Sequence, residues 1–172
     1  MKYPKSLAMG IAATVLSLGA CAPIPSHPFT DRGALPALPA ACPDPAGPTV
    51  APTSVTALGR SSRLIAPAGY QPGTAYPLLV SLHPFILTPD VWEGYSGLGA
   101  AASGRGYWVL LPQGSEPGPR WSVPGGLETG IDDIGWIDAL IQKTAATVCV
   151  NRDRIFAAGF SAGAAMAVGL SC

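Results

Sequence analysis

Gly159-Phe160-Ser161-Ala162-Gly163 sets one serine between two glycines. A serine hydroxyl is a weak nucleophile until it is held exposed and a base takes its proton. The G-x-S-x-G spacing meets the first of these needs. A serine that turns the chain sharply takes φ > 0, and side chains two residues to either side would then collide. Glycine at 159 and 163 removes the collision. Arg154-Ile155-Phe156-Ala157-Ala158 before the motif reads as a strand, and residues 162–170 after it read as a helix of small residues. The turn between them would lift Ser161 Oγ above the strand end. The N–H of Ala162, at a helix start, would face a developing oxyanion.

The elements that must position this serine follow the same alternation. Ser61-Ser62-Arg63-Leu64-Ile65-Ala66 predicts a strand, stopped by Pro67 and Gly69. Pro77-Leu78-Leu79-Val80-Ser81-Leu82 and Tyr107-Trp108-Val109-Leu110-Leu111 are short apolar runs, the pattern of strands buried on both faces. Residues 92–103, rich in Ala and Gly, predict one helix, and residues 112–130 a long loop with five glycines. Ile134, Ile137, Ile141, Ala145 and Val148 fall on one helical face, with Asp132 or Asp133 as the cap. Strand–helix–strand–helix order predicts an α/β fold, a parallel-rich sheet flanked by helices. Trp108 and Trp136 lie in regular elements and read as core. Trp121, beside Arg120 in the long loop, is a candidate for lining a substrate cleft.

From about residue 60 to the last residue the chain resembles the α/β-hydrolase superfamily, and within it the secreted polyhydroxybutyrate depolymerase and feruloyl esterase group. The resemblance rests on Arg63-Leu64 with Pro67 and Gly69-Tyr70, on Pro77-Leu78-Leu79-Val80-Ser81-Leu82-His83, and on Leu111-Pro112-Gln113-Gly114. It continues through Trp121, Asp132-Asp133-Ile134-Gly135-Trp136-Ile137, Arg154-Ile155-Phe156-Ala157, the serine turn and Leu170-Ser171-Cys172. It implies hydrolysis of a carboxylic ester, in a polyester or an acylated polysaccharide, with Ser161 as the nucleophile. His83 then matches the histidine of a His-Gly turn that shapes the oxyanion hole and is not the base. Pro84 replaces the glycine and has no N–H, so the first oxyanion donor falls to Phe85, with Ala162 as the second. Asp132 and Asp133 match a motif that opens a helix and read as caps.

In this superfamily the acid and histidine follow the serine in chain order, and no Asp, Glu or His follows Ser161 here. The domain is therefore expected to be incomplete at its C-terminus, and the chain as it stands to be inactive. Two readings stay open: an exported serine esterase represented by its N-terminal part, or a non-catalytic surface lipoprotein with a degenerate hydrolase half and a binding or vestigial role.

The N-terminus predicts export. Met1-Lys2-Tyr3-Pro4-Lys5 is basic, and the apolar region that follows, residues 6–18, has 13 residues and is too short to span a membrane. Leu18-Gly19-Ala20-Cys21 resembles the lipidation site of bacterial lipoproteins, which makes residues 1–20 a signal peptide and Cys21 the lipid attachment point. Nine prolines in residues 22–52 make residues 21–52 a stiff tether. The hydrolase part is then 53–172. The product would sit on a membrane through its lipid anchor, or be extracellular if the signal is a plain secretory one. With 10 Lys+Arg against 10 Asp+Glu, net charge 0 and no basic run, nucleic-acid binding has no support. No metal-ligand cluster, phosphate loop or cofactor motif is present. A strand up to the serine and a helix back would bring Cys149 and Cys172 together, predicting a disulfide that leaves Cys42 over.

The Cys21 expectation is checked by mass spectrometry of the mature N-terminus. Diacylglyceryl-cysteine at Cys21 is the expected result, and an unmodified terminus at any other residue refutes it.

Overall fold

The computed structural model describes residues 48–115, 118–123 and 130–171. Residues 1–47, which hold the predicted signal, most of the tether, Cys21, His27 and Cys42, lie outside it, as does Cys172. The described elements are β1 (Ser54–Ala57), β2 (Arg60–Ile65), β3 (Tyr76–Leu82), α1 (Pro89–Ser96), α2 (Leu98–Ser103), β4 (Trp108–Leu111), α3 (Asp133–Thr147), β5 (Val150–Gly159) and α4 (Ala162–Ser171). The strands form one sheet in the order β1-β2-β4-β3-β5.

Strand alternation divides the core in two. Leu78, Val80 and Leu82 of β3, with Trp108 and Leu110 of β4, point to one face and pack with Ile134, Ile137 and Leu140 of α3 and Met166 of α4. Leu79, Val109 and Leu111 point to the other and meet Ala102 of α2. A strand apolar on both sides, as the short Leu/Val runs are, is stable only under such double cover.

The sheet is mixed rather than simply parallel. β3 pairs in parallel with β4 and β5, whereas β2 is antiparallel to both β1 and β4. The β1–β2 hairpin was not expected. Its two turn residues, Leu58 at φ 49° and Gly59 at φ 77°, both take the left-handed backbone of the turn that matches strand twist. Leucine is an unusual occupant there, so the turn carries little composition signal.

The helix expected across 92–103 is two. Gly97, at φ 61°, ends α1. The Glu93 carboxylate then accepts from the N–H of Gly99 (2.7 Å) and Ala100 (2.8 Å), satisfying the free donors at the start of α2. α1 also begins earlier than expected, because Thr88 caps it and Pro89 opens it.

The aspartates ahead of α3 divide their work. Asp132 caps the helix by accepting from Gly135 N–H at 2.8 Å. Asp133 is not a cap. It is fully buried and accepts from Arg60 Nη1 (2.8 Å), Ser115 Oγ (3.1 Å) and the N–H of Ser122 (2.9 Å). Arg60 lies 3.5 Å from the centre of the Trp136 ring and also donates to Gln113 O at 2.8 Å. One carboxylate thus joins β2, the loop after β4 and α3.

Asp133 is buried although the Arg60 side chain is partly exposed, so removing Arg60 leaves a buried carboxylate without its charge partner. Arg60→Ala should lower the unfolding free energy by about 3 kcal/mol. Arg63→Ala, which breaks the exposed pair to Asp90, should lower it by less than about 1 kcal/mol. Urea titrations of both variants give the comparison, and equal losses would overturn the hub reading.

Candidate active site

Ser161 sits between the end of β5 and the start of α4, exposed, at φ 53°. The register of β3 and β5 brings Leu82 level with Gly159. A Cβ on Gly159 would lie 2.6 Å from the backbone carbon of Gly163 and equally close to Leu82 O. A Cβ on Gly163 would run into Leu82 O and come within 2.8 Å of His83 O. The motif spacing foretold the first collision. The second, against the end of β3, is visible only in the fold.

Two backbone donors belong to segments that meet at this turn. The first N–H groups of a helix have no partner inside it, and Ala162 opens α4. The other is in the turn after β3. There Leu87 N–H donates to Pro84 O at 3.3 Å and Ile86 N–H to Pro119 O at 2.8 Å. Pro84 has no N–H, so the N–H of Phe85 is the donor left over. Ile86 carries this turn at φ 63°, a conformation that β-branched residues rarely adopt.

His83 is fully buried and both ring nitrogens are engaged. Nδ1 lies 2.8 Å from Pro84 O, and Nε2 accepts from Gly114 N–H at 2.9 Å. These partners require the neutral ring with its proton on Nδ1. Burial pushes its pKa below the ordinary 6.5, against smaller opposing effects of the Pro84 carbonyl and the Asp133 carboxylate. His83 is thus a clamp between two loops, with no nitrogen free to act as base.

Trp121 corrects an expectation. It is buried rather than cleft-lining, with its ring 4.6 Å from that of His83 and its Nε1–H donating to His83 O at 2.8 Å. Gly114 lets this loop close, since a Cβ there would strike the Arg120 carbonyl. Trp108 and Trp136 are buried, as expected. Sequence reading did not anticipate the roles of Arg60 and Pro119, which depend on long-range contacts. Among the described residues no hydrogen bond reaches Ser161 Oγ, and no group of three or more His, Cys, Asp or Glu is placed to hold a metal. Cys149 is buried next to β5. Its predicted partner, Cys172, lies outside the described residues.

No family model matches the chain. It is similar to esterases. It is 33% identical to feruloyl esterase B of Piromyces equi over 108 residues, 62% of this chain and 20% of that protein. It is 31% identical to feruloyl esterase C of Emericella nidulans over 120 residues, 66% of this chain and 42% of the relative. A bifunctional acetylxylan esterase/xylanase of Neocallimastix patriciarum is 26% identical over 105 residues, 61% of this chain and 15% of that protein. The chain thus spans less than half the length of each of these relatives.

The clamp has a pH signature. Because the folded His83 pKa is held below 6.5, the unfolded chain takes up the proton first as pH falls. The contribution of His83 is complete above about pH 6.5 and declines below it. Urea titrations between pH 7.5 and 5.5 should show this decline. His83→Gln should be less stable at pH 7.5 by about 1–3 kcal/mol, with a flatter pH profile. An unchanged slope in the variant would show that another group is responsible.

Proposed function

We propose that this chain carries the nucleophile-bearing part of a serine carboxylic-ester hydrolase of the α/β-hydrolase type. The observation that carries the reading is Ser161 at φ 53°, exposed between a strand end and a helix start. Glycines stand at the two positions where a Cβ cannot fit. Ser161 Oγ attacks the ester carbonyl carbon. The carbonyl oxygen becomes an oxyanion and receives the N–H groups of Ala162 and Phe85. The alcohol leaves with a proton, and water then cleaves the acyl–Ser161 ester to release the acid.

The Oγ proton needs a base, and His83 has none of its nitrogens to spare. A histidine and an acid supplied by a longer polypeptide would complete the site, in the order Ser…Asp/Glu…His. The 172-residue chain alone should turn over esters at least about a hundredfold more slowly than the completed site, the lower end of what a general base contributes. The names of the relatives support an acylated polysaccharide, feruloylated or acetylated, as substrate. A polyester remains the other substrate class of this reading. Export with a lipid on Cys21, and a Cys149–Cys172 bridge, belong to the same proposal.

The test is a fluorophosphonate probe with p-nitrophenyl butyrate turnover, on this chain and on a longer polypeptide carrying the downstream sequence. The longer protein should label at Ser161, and Ser161→Ala should abolish both labelling and turnover. If the longer protein neither labels nor turns over substrate, the esterase reading fails and the non-catalytic lipoprotein reading takes its place.

A further inference from the structure

At the edge of the sheet opposite β5, a groove of about 590 Å³ lies between β1 and α3. Thr56 and Ala57 line it from β1, and Gly135, Ala139, Gln142 and Ala146 line it from α3. Steps of four, three and four residues keep to one face of a helix. Glycine and alanine at three of these four helix positions leave a trough where larger side chains would build a ridge. Two charged residues also line it, Asp138 toward the start of α3 and Lys143 toward its end.

The sequence ahead of Pro48 holds a segment of matching shape. Ala34-Leu35-Pro36-Ala37-Leu38-Pro39 repeats one tripeptide twice, and Ala40-Ala41 follow. Polyproline II has three residues per turn, so a period of three sets Leu35, Leu38 and Ala41 on one ridge. From Leu35 to Ala41 that ridge is about 19 Å long at 3.1 Å per residue. The trough from Gly135 to Ala146 is about 16 Å long at 1.5 Å per residue. Pro36 and Pro39 favour the extended form before any contact, so docking orders little new backbone.

Reach and charge agree with this match. The Pro48 carbonyl accepts from Tyr70 Oη at 3.0 Å. The Tyr70 ring lies 6.1 Å from that of Tyr76, whose N–H donates to Cys149 O just past the end of α3. The chain therefore enters the fold at the end of α3 that carries Ala146. Residues 42–47 extend up to about 20 Å, enough to lead from Pro48 to that end of the trough. Residue 41 then lies toward Ala146 and residue 35 toward Gly135. In this direction Asp44, the one charged residue between Arg32 and Pro48, comes to the Lys143 end. Arg32 comes to the Asp138 end, with Asp31 one residue further out. The reverse direction would bring Asp44 toward Asp138.

We propose that residues 34–41 dock as a polyproline II segment in the groove between β1 and α3, with Leu35 and Leu38 laid along Gly135, Ala139 and Ala146. The docked segment belongs to the folded unit, and residues 22–33 alone are left as the spacer from Cys21. Nothing in this depends on the esterase reading. The test is nuclear Overhauser spectroscopy on the whole chain with labelled Leu and Ala methyl groups. Leu38 should show contacts to the methyl groups of Ala139 and Ala146. Leu35→Ser/Leu38→Ser should remove these contacts and lower the melting temperature. Ala146→Glu, at an exposed helix position where glutamate is well tolerated, should lower it too. The three changes together should lower it no further than the larger of the two losses, because both sets break one contact. A synthetic peptide of residues 33–42 checks that the variant keeps its groove. It should bind the Leu35→Ser/Leu38→Ser chain about tenfold more tightly than the parent, if the parent's own segment leaves the groove open about a tenth of the time. Additive losses, equal peptide binding, or absence of the Leu38 contacts in the parent overturn the docking. So do contacts to the groove from residues 6–18, or contacts that form between differently labelled chains in a mixture, since a different segment or a second copy would then be the occupant.

Discussion

At the C-terminal end of β3 the backbone of Leu82 and His83 lies against the backbone of Gly159 and Gly163, with no room for a Cβ on either glycine. Everything around the serine depends on this contact. It requires glycine on both sides of Ser161, and it draws the start of α4 up to the strand end. It also sets the turn after β3 next to the turn after β5. The start of α4 at Ala162 and the turn holding Phe85, far apart in sequence, are neighbours only because two stretches of main chain touch. A methyl group at either glycine would separate them, and the parallel β3–β5 register would have to shift with it.

The contact is held from behind by a chain of polar groups. His83 ties the turn after β3 to Gly114, and Trp121 closes over the imidazole while donating to its carbonyl. Pro119 accepts from Ile86 in the same turn. Asp133 gathers the loop bearing Ser115 and Ser122 and anchors it to Arg60 on β2. Each member is buried or partly buried and each has partners, the condition under which a polar network rigidifies a site instead of weakening it. The left-handed backbone at Ile86 fits the same picture, since a strained residue persists where its neighbours over-determine it.

Much of this was legible from residue order. The apolar runs at 78–82 and 108–111 became β3 and β4, the stepped isoleucines became the buried face of α3, and the strand and helix on either side of Ser161 stand where the motif required them. These features are local: they depend on periodicity, on small residues, and on a serine that must adopt φ > 0. The departures are also physical. Residues 92–103 read as one helix because Ala and Gly do not show where a carboxylate six residues away will cap a new start. The Leu58-Gly59 hairpin was missed because its turn has a leucine where asparagine or aspartate usually signals it. Trp121 was a candidate for lining a cleft because it stands beside Arg120 in a long loop, whereas the imidazole of His83 and its carbonyl draw it inside.

The sequence by itself determined that a serine would stand at the top of a strand with a helix behind it, and that a histidine would follow the central apolar strand. Only the tertiary structure decided that His83 is a neutral clamp, that Asp133 is a hub and not a cap, and that Phe160 stacks on Trp92. The reason is range. Backbone preference acts over a few residues and is written in their order. A hydrogen bond or a ring contact acts over a few ångströms between residues tens of positions apart, and exists only once the sheet has brought them together.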